Sequence, residues 1–172
     1  MVDARTLTRE QARDAAQDHL DGARTLIPNE IPDELPGFVN SEGVYIPGYH
    51  DFEHTLWRVG ADIWEILIAH PSLRKDDVLC AQIVAVATNR AAMRGRRSFI
   101  LACGSVKHAR YAPQLVAHLD DNAVDGQVLD TLLKMRVGEY TTEVRPLLDS
   151  PTAFIRRLAK RYVERYPDTP AP

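Results

Sequence analysis

Two stretches near the C-terminus repeat each other: Tyr111–Met135, YAPQLVAHLDDNAVDGQVLDTLLKM, and Tyr140–Glu164, YTTEVRPLLDSPTAFIRRLAKRYVE. At an offset of 29 residues Leu115 falls on Val144, Leu119 on Leu148, Asp120 on Asp149 and Leu129 on Leu158. That period is typical of stacked helical hairpins. One such unit cannot bury its apolar face alone, so neighbours stack and share a core. The spacing predicts an all-α fold of at least six helices. Leu115, Leu119, Val128, Leu132, Val144, Leu148, Ile155 and Leu158 are expected in one continuous core.

Working outward, glycine and proline punctuate the chain, and the segments between them read as helix. Thr6 or Thr8 caps a first helix that runs to Leu26, with Gln11 placed after Thr8 as a capping box requires. Residues 28–48 carry four prolines and three glycines and have no helical pattern. Their apolar residues, Phe38, Val39, Val44, Tyr45 and Ile46, predict a segment packed across the helices, with a short extended piece at 43–46. No run alternates as a sustained strand, so no sheet is expected.

Residues 50–69 form the strongest amphipathic helix, with Phe52, Leu56, Val59, Ile63 and Ile66 on one stripe. A second stripe, His50, His54, Trp57, Ala61, Trp64 and Ile68, lies nearly opposite. A helix apolar on two sides is covered on two sides. The second stripe is therefore expected under residues 28–48 or a partner. Asp76 or Asp77 caps the next helix, and residues 98–109 give a short one around Phe99. Ser150 and Pro151 read as N-cap and first residue of the last helix. Gly138 reads as the residue that ends the helix before it. The division is a single domain, 1–172, with residues 1–48 as N-terminal cap and 50–166 as stacked hairpins.

The segment Leu147–Val163, LLDSPTAFIRRLAKRYV, resembles the second half of a HEAT repeat. Leu147, Leu148 and Asp149 stand at the turn, and Ile155, Arg156 and Ala159 in the helix after it. The preceding unit is similar at Leu119, Asp120 and Val128, but its turn is longer and Leu129 occupies the arginine position. The resemblance covers about a third of the chain and does not extend to residues 1–48. It implies a HEAT-like or armadillo-type right-handed superhelical layer. It also implies a scaffold or binding role, since HEAT-like proteins are mostly scaffolds and binding modules, with a few short bacterial relatives that bind DNA or catalyse. Fold alone does not choose among these.

Composition narrows the setting. The formal net charge is −3 and the isoelectric point about 6.1, so whole-chain charge names no partner. Cys80 and Cys103 sit in apolar runs without metal-ligand spacing, as buried thiols of a reducing compartment do. No apolar run has the roughly 18–20 residues a bilayer span needs, and the N-terminus lacks the pattern of a secretory signal. A cytoplasmic location without membrane contact is the expectation.

Charge along the chain is more informative than its sum. From Val78 to Leu119 there is no carboxylate, whereas Arg90, Arg94, Arg96, Arg97, Lys107 and Arg110 all lie there. Residues 1–55 hold eleven carboxylates against four arginines. The basic stretch either attracts an anionic partner or meets the acidic part within the fold. His50 and His54 stand at i and i+4, a spacing that can face one metal ion, but HDFEH is not HExxH and no spacing nominates a third ligand. No nucleophile motif or phosphate loop is present. The resulting expectation is a non-catalytic protein-binding module, an adaptor or an immunity protein of bacterial type by analogy, without cofactor. Its contacts would be Arg90, Arg94, Arg96, Arg97, Lys107 and Arg110, or Trp57 and Trp64, and its partner an acidic protein surface. The alternatives are nucleic-acid binding by residues 90–110 and a metal-dependent hydrolase at His50 and His54.

Overall fold

The computed structural model describes residues 3–167. Among these residues the fold is all-α, with eight helices: α1 (Arg9–Leu26), α2 (Asp51–Ala69), α3 (Asp77–Ala87), α4 (Arg97–Ala102), α5 (Ala112–Val116), α6 (Asp125–Met135), α7 (Thr141–Val144) and α8 (Ala153–Arg165). Short 3-10 turns join several of them, notably Arg90–Arg96 and Val106–Tyr111.

Local chemistry sets the helix starts. Thr8 accepts from Gln11 N at 3.2 Å while Gln11 accepts from Thr8 N at 2.9 Å, the reciprocal box read from the sequence. Asp76 caps α3 by accepting from Leu79 N at 3.0 Å, and its other oxygen takes Arg13 of α1 at 2.7 Å. That backbone hydrogen bond, with the Arg13 charge behind it, holds the Asp76 carboxyl below its usual range. Two expected boundaries move. α8 starts at Ala153 after Thr152, with Ser150 and Pro151 ahead of it in the turn. α6 ends on Arg136, which takes the left-handed conformation (φ 60°) expected of Gly138. Gly138 has another reason: a side chain there would collide with the Tyr166 ring.

α2 is the central helix, packed on α1, on α4 and on the Arg90–Arg96 turn. Leu56, Ile63, Ile66 and Leu67 are buried, while Phe52 and Val59 of the expected stripe are only half-buried. Gly60 lets α4 cross closely, since a Cβ there would run into Ser98 Oγ and the Phe99 ring. The chain of contacts continues from α4 to α6 and from α6 to α8. The two repeated segments form two short-then-long helix pairs, α5 with α6 and α7 with α8. Of the eight expected core residues, Leu115, Leu119, Val128, Leu132, Val144 and Leu158 belong to the main core. Leu148 is half-buried against it, and Ile155 is buried but stands outside that cluster.

Residues 28–48 differ from expectation. They form an arm whose tip is a two-stranded antiparallel hairpin, β1 (Phe38–Val39) and β2 (Tyr45–Ile46), with Phe38 opposite Ile46 and Val39 opposite Tyr45. Asn40 closes the turn by accepting from Glu42 N and Val44 N. The arm does not cover the second stripe of α2: Trp57 is 49% exposed, and His54 and Ile68 are exposed as well. The reason is local. The arm pairs with itself at its tip, and near its base it meets α2 through His50, whose Nε2 lies 3.0 Å from Asp33 O. Tyr49, just after the arm, meets the stripe at the His54 ring, 5.1 Å away.

Candidate functional site

The basic stretch is largely consumed inside the molecule. Arg96 is fully buried. Its guanidinium forms an ion pair with Asp121 and contacts His118 Nδ1 (3.1 Å) and the carbonyls of Met93 (3.3 Å) and Ala87 (3.4 Å). Burial lowers its pKa, and the Asp121 charge pulls it back up. Arg90 pairs with Asp120 at 2.9 Å, and Arg110 pairs with Asp77 while lying over the Tyr111 ring. Lys107 reaches Pro71 O at 3.3 Å. The carboxylate-free stretch therefore meets carboxylates that flank it in sequence, and its arginines do not form one exposed patch. Arg90, Lys107 and Arg110 remain exposed but apart from the rest in their contacts; Arg96 lies outside any contact surface.

Arg94 and Arg97 are brought together with the Trp57 end of α2. They line a hollow of about 190 Å³ with Tyr49, Glu53, His54 and Trp57. Its frame is unusual. Met93 sits at φ 47°, ψ −133°, a conformation that only glycine adopts without strain. Glu53 holds the turn in place. The residue is 1% exposed, and its carboxylate accepts from His50 N at 2.8 Å and Arg94 N at 2.7 Å. Gly95 closes the approach, since a Cβ there would press on Glu53 O and Leu56 at 3.0 Å. Arg97 is fixed by Ala123 O at 2.6 Å and Tyr49 Oη at 3.2 Å. Arg94 lies over the Tyr49 ring at 5.5 Å, reaches Gly48 O at 3.4 Å and faces Glu34 at 3.9 Å. Near Arg97, burial raises the Asp125 carboxyl and the guanidinium partly offsets this. Trp64 is elsewhere, half-buried against the core with Lys134 Nζ 6.0 Å from its ring.

His50 and His54 do not converge. The His50 ring stacks on Phe52 at 5.6 Å and contacts the Asp33 carbonyl, whereas the His54 ring lies tilted against Tyr49. Among the described residues no group of three or more His, Cys, Asp or Glu is placed to hold a metal ion.

Sequence reading missed a buried pair: Cys80 Sγ lies 3.2 Å from His108 Nε2, and His108 Nδ1 lies 3.2 Å from Cys103 O. A thiol beside an imidazole invites comparison with a nucleophilic dyad. The electrostatics run the other way. Burial pushes the Cys80 thiol up to about 11 and Cys103 to about 12, and it lowers His108 to about 4. The pair is a neutral thiol donating to a neutral imidazole, with both residues about 1% exposed. It lacks the thiolate and the access that cysteine chemistry needs.

A larger groove of about 630 Å³ runs between α1 and α2, with Leu7, Ala15, Ile66 and Ile68 on its walls. Its charged residues, Asp3, Arg5, His19, Asp62 and Glu65, carry both signs, and none is buried. Among the described residues no helix is long and apolar enough to cross a membrane. No family model, curated protein or solved structure matches the chain.

Proposed function

We propose that the protein is a non-catalytic module that binds another protein, with the arm and Trp57 as its contact surface. One observation carries this reading. Of eleven exposed large apolar side chains among the described residues, seven lie here: Ile31, Leu35, Phe38, Val39, Val44, Tyr45 and Trp57. Both faces of the hairpin are apolar, with Phe38 exposed on one and Val39 and Tyr45 on the other. Apolar surface concentrated in this way marks an interaction site, and a short ribbon with free edges also offers backbone hydrogen bonds to an incoming strand. No lysine or arginine occurs between Arg24 and Arg58, whereas Glu30, Asp33, Glu34 and Glu42 are exposed. The complementary partner face is thus an apolar groove with a basic rim, the reverse of the acidic face expected from residues 90–110. The HEAT-like resemblance supports a binding role, as in adaptors and toxin-neutralising immunity proteins.

Photo-crosslinking tests the surface. A crosslinking residue at Phe38 or Tyr45 should trap one partner in native cells, and the identified partner should lose affinity for Phe38→Ser and Tyr45→Ser. The same residue at Val78 or Val106, exposed on α3 and its neighbouring turn, should trap nothing specific. Equal trapping at all four positions would overturn the reading.

Nucleic-acid binding has a separate observation in its favour, displaced from residues 90–110 to α8. Arg156, Arg157, Lys160, Arg161 and Arg165 are all exposed there. Neither Arg157 nor Arg161 has an ion pair or hydrogen bond among the described residues. If α8 tracks a phosphate backbone, each lost contact should cut the salt slope of binding by about 0.9. An Arg157→Ala, Arg161→Ala double variant with an unchanged slope would remove this alternative.

A further inference from the structure

The hollow beside α2 is rich in hydrogen-bond donors and poor in acceptors. Each Glu53 oxygen is turned to a backbone N–H group, and Tyr49 Oη already accepts from Arg97. The Arg94 guanidinium lies over the Tyr49 ring, makes one long hydrogen bond to Gly48 O and pairs with Glu34 only at 3.9 Å, beyond hydrogen-bond length. Among the described residues the His54 imidazole and the Trp57 indole N–H carry no hydrogen bond. We propose that this hollow binds a carboxylate group carried on a small flat body.

Three features favour that ligand. Guanidinium forks match the planar carboxylate, two oxygens against two N–H groups. The volume, about 190 Å³, equals roughly six waters at about 30 Å³ each, so it admits the acid group and a ring or short chain against Trp57 and Tyr49. The strained Met93 turn, clamped by Glu53, aims Arg94 without freedom to relax, and strain of this kind gathers at ligand sites. Glu34, 67% exposed, stands at the mouth as the chain's own carboxylate and competes with an incoming one.

The hollow adjoins the docking surface proposed above and shares Trp57 and Glu34 with it, but its ligand does not rest on that reading. Its ligand is either a free acid or a glutamate side chain of a partner, and the same titration separates the two. The full chain is titrated with benzoate, succinate, a capped Gly-Glu-Gly peptide and inorganic phosphate. The Arg94 and Arg97 Nε–H signals and the Trp57 indole signal are followed by NMR. Saturable shifts of these three signals with a carboxylate probe are expected; preference for the peptide assigns the ligand to a partner chain, preference for benzoate or succinate to a free acid. Glu34→Gln should tighten binding about threefold, the scale of one exposed ion pair. Arg94→Gln should weaken it about tenfold or more; if that variant does not fold, the Glu34→Gln result decides. The proposal fails if no carboxylate saturates below about 20 mM, if phosphate binds more tightly than every carboxylate, or if Glu34→Gln leaves affinity unchanged.

Discussion

Removing the Glu53 carboxylate should destabilise the protein far more than any exposed acid would. The residue is buried at the start of α2, and each of its oxygens accepts one backbone N–H, from His50 and from Arg94. A hydrogen bond to a charged acceptor contributes about 1.5–3 kcal/mol, so Glu53→Ala loses about 3–6 kcal/mol from the two. Arg94 is buried, so its orphaned N–H gains little from water. Loss of a carboxylate from a helix N-terminus adds about 0.3–1 kcal/mol. Relaxation of Met93, strained by about 1–3 kcal/mol, opposes this if the turn springs open. The net expectation is a loss of about 2–4 kcal/mol, equal to roughly 5–15 °C in Tm for a domain of this size. Glu53→Gln should fall between, since one amide oxygen serves two donors and the NH2 faces an N–H. Urea unfolding followed by circular dichroism measures the loss, with exposed Asp51→Asn as control, expected within about 0.5 kcal/mol of wild type. A Glu53→Ala loss under about 1 kcal/mol, or equal to that of Asp51→Asn, would refute the clamp.

Other residues give further tests. Arg96→Ala should cost about 3–5 kcal/mol, because it strands the buried side of Asp121; Arg96→Lys should not restore it, since one ammonium cannot reach four acceptors. A loss below about 1 kcal/mol in denaturant titration would place Arg96 on the surface after all. His108 titrates near 4 when folded against 6.5 as its ordinary value, so the native state binds fewer protons between those values. Stability therefore rises with pH across that window by roughly 3 kcal/mol from this group. His108→Gln should flatten the difference between unfolding free energies at pH 4.5 and pH 7; an unchanged difference would refute it. Ser98 Oγ is buried without a hydrogen-bond partner among the described residues, so Ser98→Ala should keep or raise stability by up to about 1 kcal/mol. A clear drop in Tm would show that the hydroxyl has a partner.

What was legible in the sequence was short-range or periodic. Thr8 with Gln11 and Asp76 with Leu79 are contacts over three residues, and they settle the caps left open in the sequence, Thr8 over Thr6 and Asp76 over Asp77. The repeated leucines landed in the core because a phase shared by two segments reports two equivalent packings. The arm was misread because apolar content alone does not tell a face that is covered from a face kept open. Trp57 and Phe38 read like core yet stay in water. The arginines were left between two readings, a partner and neutralisation within the fold, because the stretch was taken without its edges. Asp77, Asp120 and Asp121 stand just beyond those edges and take Arg110, Arg90 and Arg96. The hollow was harder to see. Glu53 stands three residues after His50, which signals a capping role, but its second oxygen serves Arg94, 41 residues further on. That contact exists because Gly60 lets α4 cross α2 closely and Gly95 lets the Arg90–Arg96 turn press against α2. Two glycines and a strained methionine thus place the Arg94 and Arg97 guanidiniums beside an aromatic pair. The chemistry of the hollow follows from packing between distant segments, so no local motif announces it.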